Sequence, residues 1–450
     1  MKAERLIKAG GLRTCVALVS AACALASYFA WGAVGLRFEE TDSVVLASKR
    51  DGGAEPRADG KAGPGSSSDG IVRSNRVARG TAIDVRGLVG TECGGIRIPM
   101  GKGPPSGGAV GVWTNVTPPS ISLRRSDYSD DNFGIQDLLV DPVRPGDIYM
   151  FIAYQGVWKS IDFGQTWNKV NTGRNGERID AGKPWGQGID SNRCRDPDTP
   201  PTLYSAGSQQ FFWRSSDGGV DWDMFKFPED GKPRTQDAYN VDVDPYDGRH
   251  LLSGFHEQTG LAESFDAGTT WRSVPMAVGM DAGTSWYAFF VDTGDPVTTR
   301  STWLVLSQAT NGAVGTWRTN NGAASWTKVL SAEHPHGGAQ IFQWDGVTYV
   351  GGWGSDGGVY RSTDFGATWT QMSQGGQAVV YGTAKYIYAQ PAPFGDQFSA
   401  VRSPQPGMSF TTWPIDTPDG PKRAAVTFDG THYIIVAGNW LAGVWRYVEP

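Results

Sequence analysis

The chain has 450 residues and a formal net charge of -6, so it offers no basic field for phosphates and we expect no nucleic-acid partner. It contains 61 Gly, 18 Trp and 15 Tyr residues, while only 19% of its residues are charged. This composition is typical of many short strands joined by tight turns, and it predicts an all-β protein.

The N-terminal segment has the layout of a secretory signal. Basic residues between Lys2 and Arg13 precede an apolar run from Cys15 to Leu36. Ala24-Leu25-Ala26 is a small-x-small site that favours cleavage, although the run is also long enough for a membrane anchor. We therefore predict that residues 1–36 are a signal peptide or membrane anchor, and that the protein is secreted, periplasmic or at the cell surface.

Residues 37–108 are rich in Gly, Pro, Ser and charged residues and have few large apolar side chains. Such a segment buries too little surface to order itself, so we predict a disordered tether. Two of the four cysteines lie in the predicted signal, which leaves Cys93 and Cys194. We expect these two to form a disulfide bond in an oxidising compartment, and two unpaired thiols are the alternative.

An eight-residue phrase of the form S-x-D-x-G-x-T-W recurs along the rest of the chain. Four good copies begin at Ser160, Ser215, Ser264 and Ser362, and two decayed copies begin at Thr319 and Ser403. Each copy follows a short predicted strand such as GVWKS. A seventh strand of this kind, GVWRY from Gly443, has no copy after it because the chain ends.

The piece missing at the C-terminus is present at the other end of the repeat region. VWTNVTPP from Val112 matches the segment that follows a copy of the phrase, so the first and last segments together complete one unit. Seven units of about 49 residues fit four-stranded blades. We predict that residues 109–450 form a seven-bladed β-propeller, closed by pairing of the N- and C-terminal strands in one blade.

The repeated phrase resembles the Asp-box, or BNR repeat, of sialidases, xyloglucanases, sortilin-like receptors and a photosystem II assembly factor. VDPVRPGDIYMFIAYQGVWKSIDFGQTW is most similar to a blade of the xyloglucanase group. The resemblance implies that the box closes a hairpin on the face opposite the substrate. The residues expected to have this structural role are Ser160, Asp162, Gly164, Trp167, Asp217, Trp222, Asp266, Trp271, Asp364 and Trp369.

Function is expected on the other face, where loops join the second strand to the third and one blade to the next. Hydrolysis of a glycosidic bond needs a carboxylic acid and a second carboxylate. The candidate catalytic residues are Asp137, Asp131, Asp130, Asp237, Glu257 and His256. Sugars offer hydroxyls to polar groups and C–H faces to aromatic rings, and the candidate substrate-binding residues are Asn192, Asn240, Trp185, Trp286, Tyr287, Trp353, His334 and His336.

The predicted inner strands suggest an uneven channel. Alignment on three Asp-Pro pairs places Asp137, Asn192 and Asn240 on one rung, whereas the equivalent positions of other blades are Ala288, Ile341 and Ala425. A mouth that is polar on one side and apolar on the other is either a binding cleft or an ordinary water-filled channel.

The predicted function is a secreted carbohydrate-active enzyme, glycoside hydrolase-like, that cleaves an extracellular polysaccharide. Known catalytic residues do not carry over. The xyloglucanases place substrate between two propellers, the position of their first catalytic Asp reads Ala153, and the sialidase-like RIP at Arg97–Pro99 is not followed by a strand.

Two alternatives stay open, a non-catalytic glycan- or protein-binding propeller and a polysaccharide lyase with a histidine base. We predict no cofactor and no metal, although His334-Pro335-His336 is a loose metal-binding pattern. The expected partner is a polysaccharide or glycan. The protein is expected to be a monomer, with a membrane tether through its N-terminal segment as an alternative to cleavage.

Overall fold

The described part of the chain folds into seven four-stranded antiparallel sheets. The computed structural model describes residues 107–123, 134–190, 195–208, 210–228, 236–258, 260–280, 285–308, 315–335, 339–377, 379–390, 400–413, 423–438 and 443–450. The predicted signal segment, the predicted tether up to residue 106 and both cysteines of the expected disulfide lie outside these residues.

The first strand of the described residues, β1 (Trp113–Asn115), belongs to the last blade, and six blades in chain order follow it. Blades 1 and 2 consist of β2 (Ile135–Val140), β3 (Ile148–Ile152), β4 (Gly156–Ser160) and β5 (Asn168–Lys169), then β6 (Lys183–Ile189), β7 (Leu203–Ser208), β8 (Gln210–Ser215) and β9 (Asp223–Phe225). Blades 3 and 4 consist of β10 (Ala238–Asp244), β11 (Asp247–Phe255), β12 (Leu261–Ser264) and β13 (Arg272–Ser273), then β14 (Ser285–Phe290), β15 (Trp303–Gln308), β16 (Gly315–Thr319) and β17 (Thr327–Leu330).

The remaining blades have the same order from the innermost to the outermost strand. Blades 5 and 6 consist of β18 (Ile341–Trp344), β19 (Val347–Gly352), β20 (Gly358–Ser362) and β21 (Thr370–Gln371), then β22 (Val379–Gly382), β23 (Tyr386–Gln390), β24 (Val401–Pro404) and β25 (Thr411–Thr412). Blade 7 consists of β26 (Arg423–Phe428), β27 (Tyr433–Gly438), β28 (Val444–Val448) and β1.

Blade 7 closes the ring. β1 pairs antiparallel with β28, so that Trp113 lies opposite Tyr447 and Asn115 opposite Trp445. The strand that begins the described propeller thus completes the sheet that ends it. This confirms the predicted seven-bladed propeller and its mode of closure.

Within the ranges given above, short helical segments interrupt this pattern at three places. They are α1 (Gly176–Asp180), α2 (Pro296–Ser301) and a 3₁₀ turn (Gly354–Asp356). The side chain of Asp295 caps α2 by accepting the backbone N–H of Thr298 at 2.8 Å. Pro296 occupies the first helical position, where its missing backbone N–H costs no helical hydrogen bond. In the part of the chain that the structure covers, no helix has the length and apolar character needed to cross a membrane.

The hydrophobic core lies between blades. Seven apolar clusters combine side chains of neighbouring sheets, six of them from two blades and one from blades 3, 4 and 5. In one of them, Leu252 and Leu261 of blade 3 pack against Trp286 and Trp303 of blade 4. The second strand of each sheet is covered on both faces by neighbouring blades, which explains why IYMFI of β3 is buried at all five positions.

The repeated phrase forms the hairpin between the third and fourth strands, as predicted. In blade 1, Ser160 Oγ donates to Asp162 Oδ1 at 2.7 Å and accepts the N–H of Gly164 at 2.8 Å. Asp162 also accepts the N–H and hydroxyl of Thr166 at 2.9 and 2.6 Å. Partial burial acts to raise the pKa of Asp162, but the hydrogen bonds from Thr166, Ser160 and Gln165 outweigh it and lower the pKa.

The hairpin aspartate is a structural element, and its removal is expected to lower stability. Asp162→Ala should lower the free energy of unfolding by about 1–3 kcal/mol, because several backbone and hydroxyl donors lose their acceptor. Asp162→Asn should lower the free energy of unfolding by less, since Asn321 already has this role in blade 4. There Asn321 accepts the Thr319 hydroxyl and the Ser325 backbone N–H at 2.8 and 2.9 Å. Urea unfolding followed by tryptophan fluorescence tests this ranking, and equal losses in the two variants would contradict it.

Candidate functional site

The two faces of the propeller differ in the segments that form them. The turn face carries the turns between first and second strands and the repeated hairpins. The loop face carries the connections from second to third strands and from blade to blade, together with the first residues of every inner strand. All the candidate catalytic residues that the structure describes lie on the loop face.

Three of these candidates meet on blade 3. Nδ1 of His256 is 2.8 Å from Oδ2 of Asp237, and the backbone N–H of His256 donates to the backbone carbonyl of Asp237 at 3.0 Å. Because an ionised carboxylate only accepts, this contact places a proton on Nδ1 and directs Nε2 away from Asp237. Nε2 is 3.8 Å from Oε1 of Glu257.

The two carboxylates beside His256 differ in exposure. The Asp237 side chain is 13% exposed, whereas that of Glu257 is 69% exposed. Oδ1 of Asp237 is buried and accepts no hydrogen bond from any residue that the structure describes. A buried carboxylate oxygen without a donor is costly in a folded protein, and such groups concentrate at functional sites.

Glu257 has an unusual backbone. Its φ of +50° is in the left-handed region that non-glycine residues rarely adopt. The conformation is held by the Glu257 N–H, which donates to Ser285 Oγ at the start of β14, 3.0 Å away. Blade 4 therefore fixes the position from which the Glu257 carboxylate extends into solvent.

Aromatic rings surround His256 on the buried side. The ring centroids of Trp185 and Tyr239 lie 5.8 and 4.5 Å from that of His256, and Tyr239 stacks on Tyr287 at 4.6 Å. Burial and the neighbouring Tyr287 raise the pKa of Tyr239 well above its usual value, so its hydroxyl stays protonated. The imidazole is thus held between the Asp237 carboxylate and an aromatic wall. Of the three rings named, Tyr239 and Tyr287 are buried, and the half-buried Trp185 extends the wall toward solvent.

A second polar group lies at the channel mouth on blades 1 and 7. Asp137 Oδ1 accepts the N–H of Leu138 at 2.9 Å and is 3.9 Å from Nε of Arg423. Nη1 of Arg423 donates to the Ala339 carbonyl and to Gln340 Oε1 at 3.1 and 3.3 Å, and so links blade 7 to blade 5. Sequence reasoning missed Arg423, because nothing in PKRAAVTF indicates that its third residue meets Asp137.

The polar rung predicted from the inner strands is only partly correct. Blade 2 begins its inner strand at Lys183, so Gly186 is the position equivalent to Asp137 and Asn240, and Asn192 lies outside the described residues. The alignment failed because the Asp-Pro pair of blade 2 lies in a long turn after β6. A Cβ on Gly186 would be 2.4 Å from the Asn240 Cα, so the two inner strands approach too closely for a side chain there.

Asn240 and Asp242 serve the joint between blades 3 and 4. Asn240 Oδ1 accepts the N–H groups of Ala288 and Gly254 at 3.1 Å, and its Nδ2 donates to the Ala288 carbonyl at 2.6 Å. Asp242 accepts the N–H of Phe290 at 2.7 Å, and burial raises its pKa to about 7. Sequence reasoning also missed Asp242, although the period-two pattern of YNVDVD places it on the same face as Asn240.

Four predicted ligand contacts are wrong, because the side chains are buried. The first is Asn240, whose amide group is used in the joint between blades 3 and 4. Trp286 is fully buried in the cluster between blades 3 and 4, and Tyr287 is fully buried with its hydroxyl 3.4 Å from the Pro335 carbonyl. His334 is fully buried, with Thr316 Oγ1 and the Gly351 carbonyl each 2.8 Å from a ring nitrogen. Trp353, on blade 5, remains 36% exposed on the loop face.

Several predicted residues lie outside the part of the chain that the structure describes. They are Asp130, Asp131, Asn192 and His336. Within the described ranges, no group of three or more His, Cys, Asp or Glu side chains is arranged to hold a metal ion.

Comparison with known proteins points to xyloglucanases. The chain is 27% identical over 279 residues to a xyloglucanase of a Paenibacillus species and 25% identical over 289 residues to a xyloglucanase of Acetivibrio thermocellus. These matches cover 53% and 54% of this chain but only 26% and 33% of the relatives, so the chain spans about a third or less of their length. No protein-family model matches the chain.

A solved structure shares the fold. The GH74 xyloglucanase from Xanthomonas campestris superposes with a TM-score of 0.51 and 19% identity, over 70% of this chain and 52% of that one. The chain is a seven-bladed propeller with glycoside hydrolases among its relatives.

The buried His334, in the connection between blades 4 and 5, makes the stability of the propeller sensitive to acid. Burial lowers the pKa of His334 to about 4, below the unfolded value of about 6.5. The neutral ring therefore stabilises the fold above about pH 6.5, and this contribution is lost as the pH falls toward 4.

We expect the free energy of unfolding of the wild-type chain to fall by on the order of 3 kcal/mol over this interval through His334 alone. His334→Gln cannot titrate, so urea unfolding at a series of pH values should give a shallower acid slope for this variant. His432→Gln, which removes a half-exposed imidazole, is the comparison variant for loss of a histidine side chain. Parallel curves of unfolding free energy against pH for the wild type and His334→Gln would show that His334 does not determine the loss of stability at acid pH.

Proposed function

We propose that this protein is a secreted enzyme that hydrolyses glycosidic bonds of an extracellular polysaccharide at the loop face of its propeller. The observation that carries the proposal is the contact of Asp237, His256 and Glu257 beside Trp185. The relationship to xyloglucanases supports the same reaction class, and the basic and apolar N-terminal sequence supports export.

Glu257 is the carboxyl best placed to exchange a proton with a bound sugar. It is the exposed member of the cluster, and its backbone is fixed by Ser285. His256 Nε2 lies beside it, while Asp237 fixes the orientation of the ring. In the proposed reaction Glu257 donates a proton to the glycosidic oxygen as the bond to the anomeric carbon breaks.

The second carboxylate would then act on water. Asp137 is the candidate, because it lies on the loop face at the channel mouth and its carboxylate is beside the guanidinium of Arg423. As base it would accept a proton from the water that attacks the anomeric carbon. Trp185 on blade 2 and Trp353 on blade 5 would bind the apolar faces of sugar rings.

A polysaccharide lyase is the second candidate, and the Asp237–His256 contact favours it. A histidine whose Nδ1–H is held by a carboxylate presents Nε2 as a base, which is the group needed to remove the proton α to a uronate carboxyl. Hydrolysis and elimination leave different products, so a single assay separates them.

A product screen tests both reactions. The secreted wild-type chain is incubated with xyloglucan and with neutral and uronate-containing polysaccharides, while reducing ends and the ultraviolet absorbance of unsaturated uronides are followed together. Reducing ends alone mean hydrolysis, and added absorbance means elimination. Binding without product would make the propeller a recognition module and overturn the proposed enzyme.

Variants on the loop face identify the residues. Glu257→Gln should lower the turnover of a hydrolase by about 100-fold or more, because the proton donor is lost. Asp356→Asn is the matched control, since it removes an exposed carboxylate from blade 5 of the same face and should leave turnover unchanged. Full activity in Glu257→Gln, with product formation retained in the wild type, would exclude Glu257 as the acid.

A further inference from the structure

A buried histidine on the turn face belongs to a different polar group from the loop-face site. His250, on β11 of blade 3, is fully buried. Its Nδ1 is 3.0 Å from Oδ2 of Asp244, and its Nε2 is 2.8 Å from Oε1 of Glu263. Both carboxylates are themselves buried.

Two carboxylates on one imidazole require two ring protons. A neutral ring has one N–H and one lone pair, so one of the two contacts would place a lone pair against a carboxylate oxygen. The imidazolium donates at both ends and cancels one of the two buried negative charges. The contact geometry is therefore that of the protonated ring.

Arginines extend this arrangement in both directions. Arg272 donates to Glu263 Oε2 through Nη2 and Nε at 2.6 and 2.9 Å. At the other end, Nε of Arg300 is 3.9 Å from Asp244 Oδ2, and its Nη2 donates to Asp247 Oδ2 at 2.9 Å. Asp247 is also 3.5 Å from Nε of the exposed Arg249.

The row of alternating charges crosses the whole of blade 3. Asp244 is on β10, His250 on β11, Glu263 on β12 and Arg272 on β13, whereas Arg300 is on α2 of blade 4. His250 is the only member that ordinarily titrates near neutral pH, and it occupies the centre of the row.

Aromatic side chains cover the remaining sides of the ring. Phe265 stacks on His250 with centroids 4.6 Å apart, Phe290 meets it edge-on at 4.7 Å, and Trp303 lies at 6.4 Å. These rings keep water away, so neutral His250 would leave one of its two carboxylate contacts without a donated proton.

We propose that His250 is a pH-sensitive clamp. As the imidazolium it ties the four strands of blade 3 to one another and to blade 4. When it loses its proton, it releases the turn-face end of the interface between these two blades. The clamp does not depend on the proposed enzymatic function.

The direction of the pH dependence follows from the surroundings of the ring. Burial, the largest single influence, favours the neutral form, but the hydrogen bonds and charges of Asp244 and Glu263 outweigh it and raise the pKa of His250. The stabilisation is therefore complete below the unfolded pKa of about 6.5, and it is lost as the pH rises through the folded pKa. This is the reverse of the behaviour of His334.

Thermal unfolding of the full chain between about pH 6 and pH 9.5 tests the clamp. His250→Gln retains hydrogen-bonding groups but no titratable charge, so the difference in melting temperature between the wild type and this variant should shrink by about 3 °C or more toward alkaline pH. His432→Gln, which removes a half-exposed imidazole, is measured beside it as the comparison variant. A difference that stays constant with pH would overturn the proposal.

A measurement on the wild-type chain keeps the test decisive if His250→Gln does not fold. With selective ¹⁵N-histidine labelling, one of the five imidazoles should retain two protected ring N–H groups at pH values above the ordinary imidazole pKa of about 6.5. Glu263→Gln, which removes one carboxylate charge while keeping an acceptor, should shift the loss of this signal to lower pH. Loss of the second ring proton at or below the ordinary imidazole pKa would show that the clamp does not exist.

Discussion

The structure depends on the covering of each blade by the next. A four-stranded sheet with two apolar faces cannot be stable alone in water, and here each face is buried only by a neighbouring sheet. The row of blades must therefore return to its start. Pairing of β1 with β28 achieves this, and it makes the first and last strands of the propeller parts of one hydrogen-bonded sheet.

The same constraint positions the loop-face site. A Cβ on Gly254 would be 2.0 Å from the Trp286 carbonyl, and one on Gly186 would be 2.4 Å from Asn240, so blades 2, 3 and 4 approach closely at their inner edges. This proximity brings Trp185 of blade 2 and Ser285 of blade 4 to the Asp237–His256 pair of blade 3. A site made from three blades is as rigid as the packing between them.

Three histidines show how burial and partners decide the chemistry of one side chain. His334 is buried with neutral partners and stays neutral, whereas His250 is buried between two carboxylates and holds a second proton. His256 is hydrogen-bonded to one carboxylate, that of Asp237, and its partly exposed ring has the exposed Glu257 carboxylate 3.8 Å away. Only this last arrangement leaves a ring nitrogen directed toward the surface of the protein, where a substrate can reach it.

The amino-acid sequence by itself determined the repeat, the number of blades, the closure of the ring and the structural role of the repeated hairpin. These follow from local turn chemistry and strand periodicity, which are written in contiguous residues such as SIDFGQTW. It also identified Asp237, His256, Glu257 and Trp185 as candidates, because they fall in predicted loop-face segments.

Only the tertiary structure decided which candidates meet and which are buried. Tyr287 and His334 have the sequence context of loop residues, yet neighbouring blades cover both. Arg423 reaches Asp137 from a strand 286 positions away, and His250 acquires its charge from carboxylates on two other strands. Contacts between blades depend on the angle and distance between whole sheets, and no short stretch of sequence encodes these quantities.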